Sequence, residues 1–138
     1  MKRIAIMILF VAVGSAVFAQ TPATATKNEA KPDMAVFAWD AANFDFGKIQ
    51  HGTPVTHEFK FTNNGKVPLV ITNVQASCGC TTPAWSKEPI PPGGEGFIKA
   101  TYNAAAMGAF NKTVTVMANV ENGFMQLSIK GEVVQQPQ

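Results

Sequence analysis

The sequence predicts an all-β domain of about seven short antiparallel strands packed as a sandwich. Three observations carry that expectation. From position 36 onward apolar residues recur at every second place, the period of a half-buried strand. Turn signals at Asn64-Gly65, at "PPGG" and at "ENG" (121–123) separate the alternating stretches. No stretch after residue 20 carries a helical stripe; "NAAAMGAF" at 103–110 holds helix-forming alanines but is short and interrupted by Gly108. Strands of this length and spacing indicate an immunoglobulin-like β-sandwich.

The individual strands follow from side-chain alternation. "VTHEFKFTN" places Val55, His57, Phe59 and Phe61 on one face and Thr56, Glu58, Lys60 and Thr62 on the other. After the "NNGK" turn, "VPLVITNVQAS" is a longer strand whose apolar set shifts from odd positions (Val67, Leu69, Ile71) to even ones (Val74, Ala76). One extra residue near Asn73, a β-bulge, produces such a shift. "TTPAWSKEPIPPGGEG" has the composition of a loop, with four prolines. "FIKATYN" then buries Ile98, Ala100 and Tyr102, and "FNKTVTVMANV" buries Val114, Val116 and Ala118. The last strand, "FMQLSIKGEVV", turns Met125, Leu127, Ile129 and Val133 inward.

The N-terminal segment has a different character. Lys2 and Arg3 precede an apolar run from Ile4 to Val13, and Val17 and Ala19 stand where a signal peptidase reads small residues. Residues 1–19 are therefore expected to be a cleaved export signal, with the periplasm as the favoured destination over the extracellular space. The apolar run is shorter than the roughly 20 residues of a membrane span, so no transmembrane anchor is expected after cleavage. Neither cysteine lies near the cut, so a lipoprotein anchor of the bacterial kind is not indicated. Residues 20–33 have the composition of a flexible leader, 34–135 form the domain and 136–138 a tail. Without Lys2 and Arg3 the eleven basic residues fall to nine, against nine acidic ones. A near-neutral chain offers no basic patch to nucleic acid or to an anionic membrane.

The stretch from "FDFG" at 44–47 through "FKFTNNG", "PLVI", "SCGCT" and the Pro-Gly turn resembles the bacterial family known as domain of unknown function 1573. The resemblance covers residues 44–134. It is similar, more distantly, to the sandwich modules of major sperm protein and of cilium- and centrosome-associated proteins, which are binding or scaffold domains. What it implies is an immunoglobulin-like fold, export in bacteria and a binding role rather than catalysis; it names no substrate and no partner.

Both cysteines lie in "SCGCT", with Gly79 between them. In an extended strand Cys78 and Cys80 point the same way with Cα atoms about 6.6–7 Å apart, at the limit of disulfide geometry. A bridge requires the backbone to bend at Gly79, and its chain-entropy gain is on the order of 1.5 kcal/mol. Three readings stay open: reduced packing residues, a local and redox-labile disulfide, or a pair of thiolate ligands for Cu(I). His51 and His57 are further candidate ligands, although His57 has the setting of a core residue. Met107 and Met117 are expected to pack. Zinc is a poorer match because a structural site wants four ligands and no second cysteine pair exists.

No catalytic constellation emerges. Ser77 has no nucleophile elbow, Asp45 and Glu58 are unpaired in sequence, and Gly93-Gly94 precedes a strand rather than a phosphate-binding helix. The C-x-C spacing also differs from the helix-borne C-x-x-C of thiol oxidoreductases. The expected function is therefore an exported non-enzymatic binding or scaffold module that contacts another envelope protein or envelope component. Its contact surface is expected around residues 78–92, from Pro83, Trp85, Ile90 and Pro92, with Phe124 as a further exposed apolar side chain. Trp85 is equally suited to closing over the open end of the sandwich.

Overall fold

Alternating side chains are laid down as eight strands in the computed structural model, which describes residues 33–135. The expected signal, most of the leader and the tail lie outside the described residues. In chain order the strands are β1 (Phe37–Trp39), β2 (Asn43–Gln50), β3 (Val55–Asn63), β4 (Ile71–Ala76), β5 (Thr81–Trp85), β6 (Glu95–Tyr102), β7 (Gly108–Ala118) and β8 (Phe124–Val134). They form two four-stranded sheets, ordered β1-β3-β6-β5 and β2-β8-β7-β4. The fold is the all-β, immunoglobulin-like sandwich.

The inner faces supply the core. Phe59, Phe61, Ile98, Val114, Val116, Leu127, Ile129 and Val133 are essentially inaccessible to solvent. Each such side chain contributes about 1.5–3 kcal/mol of burial free energy. Residues expected inward on β3, β6, β7 and β8 are found there, with Met125 at the rim and half-buried. The expected bulge is also present: pairing between β4 and β7 slips between Ile71 and Asn73, so Val74 and Ala76 return to the inner face.

Two features depart from the alternation. Residues 81–85, expected as loop, form the edge strand β5. Asn103 N–H donates to Cys80 O and Ser86 N–H to Phe97 O, so the even-numbered positions of β5 bond to β6. Pro83 therefore turns its missing N–H toward the free edge, where a proline is tolerated. The second departure is β2, which runs parallel to β8 and slips register between Asp45 and Lys48. Gly47 occupies the left-handed region at φ 66°, and its N–H donates to Asp45 Oδ1 at 2.8 Å. Gly131 on β8 admits this bulge, since a Cβ there would lie 2.8 Å from Gly47 O.

One end of the sandwich is closed by the "FTNNG" turn. Asn63 is fully buried. Its amide nitrogen donates to Val67 O at 2.8 Å and Ile90 O at 3.0 Å. Its Oδ1 accepts from Gly65 N–H at 2.9 Å and Val36 N–H at 3.3 Å. A Cβ at Gly65 would collide with the main chain of Met34 and come within 2.6 Å of Ala35 Cα. The chain can cross at this place only over a glycine. The other end, 78–82 with 51–54 and 103–108, carries the cysteines.

Candidate functional site

The "SCGCT" segment leaves the last residue of β4 and turns directly into β5. Ser77 holds the departure point: its N–H donates to Thr113 O at 2.8 Å, and its Oγ accepts from Thr113 N–H at 3.1 Å. The chain then bends through Gly79, where a Cβ would meet nothing within 4 Å. This bend brings the Cα atoms of Cys78 and Cys80 to 5.3 Å, and the two sulfurs are joined in a disulfide. The separation falls inside the ordinary disulfide range, unlike that of an extended strand. Both cysteines are half-buried, and Cys80 packs against the core.

The neighbouring loop is braced on both sides. Asn103 N–H reaches Cys80 O at 2.9 Å, Gly52 N–H reaches Ala104 O at 2.9 Å, and His51 Nε2–H donates to Ala105 O at 3.0 Å. Ala104 is buried at φ 53°, a conformation a non-glycine residue adopts only when its surroundings hold it there. His51 and the cysteine pair thus share one end of the sandwich, linked through residues 103–105. His57 is elsewhere. Among the described residues no group of three or more His, Cys, Asp or Glu is placed to hold a metal ion. Reduced Cys78 and Cys80 would offer two soft ligands and no more.

The expected contact residues are divided by the fold. Trp85 ends β5, half-buried against the core, with Lys87 Nζ 3.1 Å from the centre of its ring. Pro83 lies half-buried on the free edge strand, and Pro92 is exposed in the following turn. Ile90 offers little of its side chain to that surface. It exchanges main-chain hydrogen bonds with Leu69, both at 2.8 Å, and its side chain is only 4% exposed. With Trp85, Lys87, Glu88, Pro89 and Phe97 it lines a shallow groove. Sequence reasoning passed over Lys87 and Phe97; their only signal was proximity, Lys87 two residues beyond the Trp and Phe97 beginning an amphipathic strand. Met107 and Met117, expected to pack, are instead 53% and 38% exposed. Phe124 is exposed at the start of β8.

His57 occupies a different position, between the sheets. Its ring stacks on Phe44 with centroids 3.6 Å apart and meets Phe59 edge-on at 4.6 Å. Burial among these rings holds its pKa below the ordinary histidine value, and the neighbouring Glu58 carboxylate opposes the shift only in part.

A two-sheet module with a disulfide-closed turn and a half-exposed tryptophan at one edge belongs to the immunoglobulin-like sandwich class. The chain is a member of the protein family of unknown function DUF1573, whose model matches residues 37–133. No curated protein matches it in sequence. Among solved structures it is similar to a protein of unknown function from Porphyromonas gingivalis W83, at 17% identity and TM-score 0.65. That match covers 73% of this chain and 48% of the other, so the chain spans about half of that relative's length. It is also similar to the seventh ASH/PapD-like domain of human CEP192, at 8% identity and TM-score 0.64, covering 85% and 98% of the two chains. The secreted serine protease VesC from Vibrio cholerae matches at 14% identity and TM-score 0.55, over 78% of this chain and 24% of the protease. These likenesses establish the fold.

The setting of His57 has a consequence for stability. A histidine whose folded-state pKa lies below its unfolded value binds a proton more readily in the unfolded chain. Stability is therefore level above about pH 7 and falls as pH drops through the unfolded value near 6.5 toward the folded one. Urea unfolding at pH 7.5 and 5.5 should show a lower midpoint at pH 5.5. His57→Phe, which keeps the stack on Phe44, should reduce that difference; an unchanged difference would assign it to other groups.

Proposed function

We propose that this chain is an exported, non-enzymatic binding module of the bacterial envelope, contacting another envelope protein or envelope component through residues 78–92. The carrying observation is Trp85: a half-exposed aromatic at the end of a free edge strand, roofed by Lys87 and flanked by the exposed proline turn. Buried-on-contact Trp and cation pairs of this kind dominate binding energy at protein interfaces, commonly at 2 kcal/mol or more, roughly, per residue. The export signal read in residues 1–19 and the near-neutral charge of the remaining chain support an envelope partner rather than nucleic acid. Ile90 contributes from beneath, as a core residue that holds the loop in place. Crosslinking in intact envelopes followed by pull-down should recover a specific partner. Trp85→Ala, compared at a temperature where its unfolding curve shows it still folded because the change also removes packing against the core, should reduce the partner's yield at least tenfold; equal yield would remove this surface from consideration.

A second reading rests on the turn itself. Cys78 and Cys80 share one bend with Cα atoms 5.3 Å apart, so reduction would leave two thiolates side by side, a donor pair suited to Cu(I). On this reading the protein handles soft metal or responds to redox state. Anaerobic titration of reduced protein should then show one-to-one Cu(I) uptake that the Cys78→Ser, Cys80→Ser variant lacks. Equal uptake by that variant would eliminate the cysteines as ligands.

A further inference from the structure

The outer face of the β2-β8-β7-β4 sheet carries a second ordered surface. Strand register places Gln75, Thr115 and Gln126 in one row across β4, β7 and β8. The next row toward the closed end is Asn73, Met117 and Phe124, and the next in the opposite direction is Ser77, Thr113 and Ser128. The three strands are spaced by about 4.8 Å and the rows by about 6.8 Å, so the grid spans about 10 by 14 Å.

None of these nine positions is charged. The outer face of the other sheet is different: Glu58 pairs there with Lys60 at 4.0 Å and with Lys99 at 3.3 Å. Charge returns on the present sheet only further along, where Asp45 meets Lys130 at 3.7 Å. Within the grid Asn73 Oδ1 is taken by Val74 N–H, while the amides of Gln75 and Gln126 project from exposed positions on either side of Thr115. Beside them Phe124 is 49% exposed and Met117 38%.

We infer that this face binds a neutral oligosaccharide laid across the three strands, with a sugar ring against Phe124 and Met117 and its hydroxyls bonded to the Gln75–Thr115–Gln126 row. An uncharged face offers no attraction to an ionic partner, whereas side-chain amides and hydroxyls match the mixed donors and acceptors of sugar hydroxyls. The electron-rich ring face of Phe124 suits the polarised C–H groups of a pyranose. A second copy of the chain is the poorer occupant, because the grid falls well short of the ~800 Å² per partner of a stable interface. An extended peptide adding to the edge of β4 is opposed by the Asn73 side chain, which occupies the Val74 N–H. This site lies on a different face from the Trp85 surface, and neither depends on the other.

The test is an NMR titration of the purified exported chain with β-1,4-linked hexasaccharides of glucose and of N-acetylglucosamine, with maltohexaose, and with hexagalacturonate as the anionic probe. At least one neutral hexasaccharide should shift the side-chain amide signals of Gln75 and Gln126. Phe124→Ala should weaken that binding at least tenfold. The near-isosteric Gln75→Glu, Gln126→Glu variant, whose changes are exposed and leave the backbone pairing intact, should weaken it at least as much. The inference is overturned if no neutral probe shifts those amides, if hexagalacturonate binds as tightly, or if the Glu variant binds like wild type.

Discussion

Asn63 is where three separate pieces of this chain are held to one another, and the arrangement of the sandwich depends on it. Its side chain engages Val36 from the segment that enters β1, Gly65 and Val67 from the β3–β4 turn, and Ile90 from the proline loop. Its main chain adds Gly93 N–H and Gly94 O, at 2.7 and 2.9 Å. A buried amide with every group satisfied contributes about 1 kcal/mol per bond, whereas an orphaned partner costs about 1–3 kcal/mol. No apolar residue of the same size can serve all four main-chain groups. Phe59 and Phe61 anchor the strand that carries Asn63, and Gly96 is small enough to lie against the Phe61 ring.

This hub gives the motifs of the sequence a physical meaning. The "FKFTNNG" run combines two core phenylalanines, the hub and the glycine over which the chain enters. "FDFG" combines two aromatic rings that close the side of the sandwich with the bulge of β2, fixed by Asp45 and Gly47. "SCGCT" is held differently: Ser77 bonds Thr113 through its N–H and its Oγ, Cys80 O accepts from Asn103 N–H, and the disulfide closes the bend between them. The cysteine turn lies at the opposite end from Asn63, and the Trp85 edge runs between the two. The proposed contact is placed on the strand that leaves this turn, where Trp85 stands half-buried at a free edge.

Much of this was legible in the residues. Alternation located β3, β6, β7 and β8 with their inward sets, and the phase change at Asn73 announced a bulge. Two elements were not legible, each for a definite reason. β5 was hidden by its proline, because composition does not report that the missing N–H faces a free edge. The parallel pairing of β2 with β8 leaves no mark on alternation, which is the same for either strand direction. The site was less legible than the fold. Ile90 looked like an exposed apolar residue among prolines, and only its reciprocal bonding to Leu69 draws it into the core. Met107 and Met117 looked like packing residues, and their exposure follows from strand register and loop position. The closeness of Cys78 and Cys80 was plain, while the bend at Gly79 that lets them join was a possibility that sequence alone does not decide.

The hub can be examined by amide hydrogen exchange in Asn63→Ala, read against wild type. Residues 34–36 and 90–94 lie far apart in sequence and meet only through Asn63 and its neighbours. If Asn63 carries the closed end, the amides of Val36, Ile90, Gly93 and Gly94 should lose protection together, while those of Thr81 and Asn103 beside the cysteine turn keep theirs. Loss confined to residues 63–67, or spread evenly over both ends of the sandwich, would contradict the account.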